Sequence, residues 1–167
     1  MKIRKLELKD KFGMLEWMID PEINSYFRFD PNKISEEQII DFITNADVNE
    51  KDKHFAIVDQ NDEYLGTISL KNINYQDANA EYAISLRKKA MGNNIAKRAT
   101  DKIIDIAFKE LELHKVYLNV ISSNTRAIRF YEKYGFKYEG EFAEHVIIRG
   151  KYENLKWYSI IKSCQNN

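Results

Sequence analysis

The stretch "EYAISLRKKAMGNNIAKRATDKIIDIAF", residues 81–108, changes periodicity in the middle. In its first part Tyr82, Ile84 and Leu86 alternate with Glu81, Ala83 and Ser85, the pattern of a strand with two different faces. Its second part puts Ile95, Ala99, Ile103, Ala107 and, just beyond, Leu111 on one stripe, with Ile104 and Phe108 beside it. Lys97, Arg98, Asp101, Lys102, Asp105 and Lys109 lie away from that stripe, so this is a surface helix packed on a sheet. Between the two lies the polar turn Gly92-Asn93-Asn94. Such a turn leaves backbone N–H groups free at a helix N-terminus, where the macrodipole also favours negative charge. It reads either as an anion cradle or as an ordinary strand-to-helix turn.

Outward from this unit the same two periods recur. A first strand is expected near residues 2–8. Phe12, Leu15, Met18 and Ile19 predict a helix that stops near Asp20-Pro21. In "ISEEQIIDFI", Ser35 and Gln38 have capping-box spacing before Ile39, Ile40, Phe42 and Ile43, so a second helix starts at Ser35. "HFAIVDQNDEYLGTISLKNI" gives two apolar runs around Gln60 to Glu63, a hairpin signal. "KVYLNVI" is a further strand. "NTRAIRFYEKYGF" places Ala127, Phe130, Tyr131 and Tyr134 at helical spacing and ends at Gly135, a helix C-cap. Two last strands, near 136–148 and 151–162, meet at Arg149-Gly150. The order β-α-α-β-β-β-α-β-α-β-β predicts an α/β (mixed α+β) protein, with one mixed sheet and helices on both faces. No repeat or linker divides residues 1–167, so a single domain is expected.

Composition narrows the partners. The 167 residues are 44% hydrophobic and 31% charged with two prolines, as in a globular chain. Lys plus Arg and Asp plus Glu are both 26, so bulk charge argues for neither nucleic acid nor an anionic membrane. The distribution is uneven: residues 1–50 carry 7 basic and 11 acidic side chains, a net of −4, and residues 87–134 carry 11 and 5, a net of +6. One half suits a cationic ligand and the other an anionic one. Cys164 is the single cysteine, which excludes an internal disulfide and a cysteine-based zinc cluster and leaves a tail thiol. His54, His114 and His145 lack metal-ligand spacing, so no metal is expected. "MKIRKLELKD" has no apolar core of signal-peptide length, and no stretch approaches ~18 apolar residues, so a soluble cytoplasmic protein is expected.

"AEYAISL", "MGNNIAKRAT", "VYLNVISSN" and above all Asn124, Ala127, Tyr131, Gly135 and Phe136 together resemble the GCN5-related N-acetyltransferases. The nearest branch is that of the ribosomal-protein and spermidine acetyltransferases. The element order matches across essentially the whole chain. The resemblance implies a single N-acetyltransferase domain whose central sheet is mixed and mostly antiparallel. Its acetyl donor would be acetyl coenzyme A, with the pyrophosphate held on the backbone of the turn at Met91, Gly92, Asn93, Asn94, Ile95 and Ala96. Two positions depart from the family pattern: Met91 replaces a polar residue and Asn94 a glycine. Asn tolerates the left-handed conformation, which preserves the cradle. The donor lost at Met91 is partly offset by the basic cluster Arg87, Lys88, Lys89, Lys97 and Arg98.

The implied chemistry is direct attack of a neutral primary amine on the acetyl thioester. Tyr131 matches the tyrosine that acts as general acid to the sulfur. Glu81 is the implied general base, acting directly or through a water, although alternation does not say whether Glu81 or Tyr82 faces the cleft. Asn119 and Asn124 are implied to meet the pantetheine arm and the acetyl carbonyl, and Asn124 also reads as a helix cap. The backbone of Ile84, Ser85 and Leu86 is implied to pair with pantetheine. For the acceptor, the aromatic residues Trp17, Tyr26, Phe27 and Phe29 point to a small-molecule amine, an amino sugar on a nucleotide, and the acidic N-terminal part to a polyamine. A protein N-terminus, or a non-catalytic coenzyme A binding module, are the alternatives. Trp157 and Tyr158 could complete a homodimer interface, or pack within the chain.

Overall fold

Turn chemistry and alternation build one sheet of seven strands: β1 (Lys2–Lys5), β2 (Lys53–Val58), β3 (Tyr64–Asn74), β4 (Asn79–Leu86), β5 (Lys115–Ile121), β6 (Lys137–Ile148) and β7 (Lys151–Ile161). Five helices accompany them: α1 (Lys11–Ile19), α2 (Pro21–Asn24), α3 (Glu36–Asn45), α4 (Ile95–Asp105) and α5 (Thr125–Tyr134). This computed structural model describes residues 1–46 and 48–163, so Cys164 lies outside the described residues. The strand order is β1-β2-β3-β4-β5-β7-β6, and every neighbouring pair is antiparallel except β4 with β5. The mixed, mostly antiparallel sheet is as expected.

Each face of the sheet is covered by different helices. On one, Ile57, Ile68, Leu70, Tyr82 and Leu118 pack with Ala99 and Ile103 of α4 and with Ile128 and Tyr131 of α5. On the other, Ala56, Val58 and Tyr64 pack with Met14 and Trp17 of α1 and Ile39 and Ile43 of α3. Trp17 donates its indole N–H to the Tyr64 hydroxyl at 3.1 Å, and that hydroxyl shares a 2.7 Å bond with Thr67, so the polar atoms of this second core are satisfied.

The helix ends follow the sequence signals. The Ser35 hydroxyl accepts from the Gln38 N–H at 3.2 Å while the Gln38 side chain accepts from the Ser35 N–H at 3.0 Å, a complete capping box. Gly135, at φ +119, closes α5 with its N–H directed to the Tyr131 and Glu132 carbonyls. Arg149 (φ 49) and Gly150 (φ 78) make the two-residue turn between β6 and β7, with both residues at positive φ as such hairpins require.

Three expectations change. β1 stops at Lys5 because buried Asp10 draws the chain into a 3-10 turn over Leu8–Asp10: its carboxylate accepts from the Glu7 N–H at 2.9 Å and from Arg4 at 2.8 and 2.9 Å. The long helix ends in a π-helical turn, Ile106–Glu110, in which the Leu111 N–H reaches the Ile106 carbonyl at 2.9 Å. Ala107 therefore stays buried, whereas Phe108 and Leu111 are only half-buried. Finally, the acidic and basic halves meet each other. Arg87 pairs with Glu16 and Glu63, Lys88 with Glu22 at 2.8 Å, and Lys89 with Glu63, so charge that looked available for ligands joins the N-terminal helices to the loop after β4.

Gly66 of β3 lies against β4: a Cβ there would fall 2.3 Å from the Ser85 carbonyl oxygen and 3.0 Å from Leu86 Cα. Gly66→Ala is expected to lower the unfolding free energy by about 1–3 kcal/mol through overpacking, read from urea midpoints.

Candidate active site

The parallel ladder between β4 and β5 is short. It joins Asn79 to Lys115, Ala80 to Val116 and Glu81 to Tyr117, and then ends. Beyond Glu81, β4 continues to Leu86 beside β3, and beyond Tyr117, β5 continues to Ile121 beside β7. The two strands part like a wedge, and the inner edge of β4 from Tyr82 to Leu86 has no strand partner on that side. Buried backbone N–H and C=O groups require partners, so this edge can receive an extended, amide-bearing ligand. Ile84, Ser85 and Leu86 form one wall, and Asn119 lies on the other.

The turn after β4 fits a pyrophosphate. Gly92 takes φ +88, and a Cβ built on it would meet nothing within 4 Å. Asn94 takes φ 55 and ψ 13, the left-handed conformation, and its side chain makes no capping bond to α4. The first turn of α4, which includes Ile95, Ala96 and Lys97, contains no acidic residue. Its N–H groups are therefore left without a side-chain cap and with the dipole uncompensated. Met91 is half-buried against the main core, an apolar anchor for the turn. The basic cluster expected to replace its missing donor is largely engaged elsewhere: Arg87, Lys88 and Lys89 hold glutamates, and Lys97 pairs with Asp101 at 3.0 Å. Exposed Arg98 has no ion pair among the described residues.

Tyr131 and Glu81 lie on opposite faces of the sheet, on either side of the wedge. Tyr131 is buried, edge-on to Tyr82 at 6.0 Å and to Phe136 at 5.7 Å, and burial pushes its phenol up to about 12. It stays protonated at working pH, and its hydroxyl has no hydrogen-bond partner among the described residues. Tyr82, whose position relative to the cleft alternation left open, points into the same core and bonds Thr100 at 2.9 Å.

Glu81 projects from the other face with its side chain 16% exposed. Oε1 accepts from Lys71 Nζ at 2.9 Å and from Asn119 Nδ2 at 3.2 Å, while Oε2 accepts from Asn72 Nδ2 at 2.9 Å. The structure thus brings Asn119 to Glu81. It places Asn124 elsewhere, as the N-cap of α5, with its side chain accepting from the Ala127 N–H at 3.2 Å.

Lys71 and Asn72 were not singled out in the sequence. Lys71 stands directly opposite Glu81 on β3, and a ladder irregularity between Lys71 and Asn74, with Asn72 at φ 50, turns the Asn72 side chain back to the same carboxylate. Alternation along "GTISLKNIN" placed Lys71 on a face, but the irregularity hid the register.

Beside the wedge, Tyr117, Trp157 and Phe142 make an aromatic wall, with ring centroids 6.1 and 5.4 Å apart, over a hollow of about 320 Å³. Trp157 Nε1 is buried without a hydrogen-bond partner among the described residues. A larger groove, about 640 Å³, runs past Phe27, Arg28 and Phe29 to Arg149, which donates to buried Asn24 at 2.6 Å. Trp17, expected in an acceptor wall, is instead a core residue. Tyr158 is buried and donates to Glu132 at 3.0 Å, so it packs within the chain.

The acetyltransferase (GNAT) domain family matches residues 1–137. The chain is 30% identical over 142 residues to a spermidine N(1)-acetyltransferase of Vibrio cholerae, covering 84% of this chain and 81% of that one. It is 32% identical over 97 residues to the putative ribosomal N-acetyltransferase YdaF of Bacillus subtilis, covering 58% and 53%. A crystal structure of spermidine N-acetyltransferase from Vibrio cholerae with CoA and spermine superposes with a TM-score of 0.86 at 28% identity, over 96% of this chain and 94% of that one. The chain belongs to the GNAT acetyltransferase family and is an acetyl-CoA-dependent N-acetyltransferase.

Replacing Gly92 by Val adds a β-branched side chain at positive φ, a strain of roughly 1–2 kcal/mol, in open space beside the turn. Calorimetry should show coenzyme A bound roughly tenfold or more weakly, about 1.4 kcal/mol, while the fold persists.

Proposed function

We propose that the chain transfers the acetyl group of acetyl coenzyme A to a primary amine of a polyamine, with Tyr131 and Glu81 acting from opposite faces of the wedge. The observation that carries this reading is the short β4/β5 ladder with a protonated phenol on one side and a carboxylate on the other. Acetyl coenzyme A supplies an activated acetyl thioester. The backbone of Ile84, Ser85 and Leu86 would hold the pantetheine arm, and the turn from Met91 to Lys97 the pyrophosphate.

In this scheme the neutral amine nitrogen attacks the thioester carbonyl carbon; the N–C bond forms and the C–S bond breaks. Glu81, directly or through a water, takes the proton by which the bound ammonium becomes the neutral, attacking amine; Tyr131 donates to the departing sulfur and is restored by the proton the nitrogen loses as the amide forms. Asn119 holds Glu81 toward the wedge. Asn124 contributes by fixing the start of α5, and so the position of Tyr131 along it.

Two things support a polyamine acceptor: the printed activities of the similar Vibrio cholerae proteins, and the presence of a carboxylate where a cationic amine must arrive. The amino-sugar reading loses its strongest residue, because the Trp17 indole is buried and bonded to Tyr64. We further propose a cytoplasmic enzyme; among the described residues no helix is long and apolar enough to cross a membrane. A homodimer would pair through the open edge at β6, where Tyr138, Phe142 and Ile147 are exposed.

Release of free coenzyme A is the direct assay, with spermidine, a nucleotide-linked amino sugar and peptides with free N-termini as acceptors. Turnover with spermidine above the others is expected; turnover confined to another class would refute the polyamine assignment. Tyr131→Phe should lower kcat on the order of a hundredfold or more without changing coenzyme A affinity. Because Tyr131 must be protonated and its phenol is pushed up to about 12, its ionisation should cause no alkaline loss of rate up to about pH 10, the range where an ordinary tyrosine titrates.

A further inference from the structure

Glu81 is already occupied by an ammonium group. The Lys71 side chain, 36% exposed, reaches Oε1 at 2.9 Å, the same oxygen that Asn119 of β5 approaches at 3.2 Å. Lys71 Nζ therefore lies near the apex of the wedge, on the face from which the acceptor must come. With the Asn72 amide on Oε2, the carboxylate has three donors, and a carboxylate offers about four lone-pair sites. Little of its accepting capacity remains for an incoming amine while Lys71 stays.

We propose that Lys71 is the chain's own occupant of the acceptor-ammonium position. The substrate amine, a primary ammonium on an unbranched alkyl stem like that of lysine, takes its place on Glu81. This rests on the reading of Glu81 as the residue that receives the acceptor. Exchange of one ammonium for another keeps the half-buried carboxylate compensated at every stage, so binding avoids the cost of an unpaired buried charge. A bulky or secondary amine could not reproduce the slim stem and three N–H donors that the site already accommodates.

Lys71, 36% exposed, can leave Glu81 for solvent. Asp52 stands one residue before the Lys53–Leu70 pair, and its Oδ1 accepts from the Asn72 N–H, next to Lys71, at 2.9 Å. Its Oδ2 accepts from Asn49 Nδ2 at 2.8 Å, so Asp52 is a second carboxylate near the start of the same strand pair.

The test uses the full chain loaded with coenzyme A and titrated with spermidine by calorimetry, alongside steady-state kinetics. Lys71→Met keeps an unbranched side chain but removes the competitor; spermidine Kd and KM should fall about fivefold, as expected for losing one half-exposed ion pair. Lys71→Arg grips the carboxylate with a bidentate fork and should raise both. Coenzyme A affinity, which should be unchanged in both variants, reports that they are folded. Equal or weaker spermidine binding by Lys71→Met overturns the proposal and leaves the polyamine assignment standing. Binding that follows the predicted order without turnover supports the placeholder role and overturns the polyamine assignment. No spermidine binding by any of the three proteins overturns both.

Discussion

The site depends on one interrupted ladder. Among the described residues β4 and β5 are the only parallel neighbours in the sheet, and they are joined for three residue pairs before each strand follows its other neighbour, β3 or β7. A continuous ladder would satisfy the inner backbone edges and seal the sheet. The ladder's end after Glu81 and Tyr117 leaves the inner edge of β4 from Tyr82 to Leu86 without a strand partner, at the line where the two faces of the sheet meet. The close approach of β3 at Gly66 and the pairing of β5 with β7 hold the two walls in place from outside.

The two faces beside that edge are different environments. On the α4 and α5 face, aromatic packing around Tyr82, Tyr131 and Phe136 excludes water and keeps the Tyr131 phenol neutral, while the uncapped first turn of α4 offers N–H groups to an anion. The opposite face is ionic: Glu81, Lys71 and Asn72 stand beside the aromatic wall of Tyr117 and Trp157. A donor carrying phosphates suits the first face and a cationic amine the second. Some of the charge that segregates along the chain is also paired internally, since Glu16 and Glu22 of the acidic N-terminal part, and Glu63 of the β2–β3 turn, are taken by Arg87, Lys88 and Lys89.

Much of this was legible in the sequence, because the signals were local. The capping box at Ser35, the glycine stop at Gly135, the strand at 115–121 and the periodic change within 81–108 each depend on residues a few positions apart. Resemblance added Tyr131, Glu81 and the cradle. What sequence did not carry was register. The irregularity between Lys71 and Asn74 decides that Lys71 and Asn72 converge on Glu81, and only the paired strands reveal it. The π-helical turn at Ile106 likewise breaks a period that reads as continuous, and ion pairs across long separations turned an apparent ligand-binding charge into an internal one. The Asn124 cap of α5, by contrast, is local and was visible in the sequence.

The central claim is that coenzyme A enters the open edge of β4 and ends on the first turn of α4. Hydrogen exchange measured with and without coenzyme A tests it directly. Amides of Tyr82 to Leu86 and of Ile95 to Lys97 should gain protection together on binding, while β1 and the β6–β7 hairpin stay unchanged. Protection confined to the grooves beside Trp157 or Phe27, with no change along β4, would contradict the account.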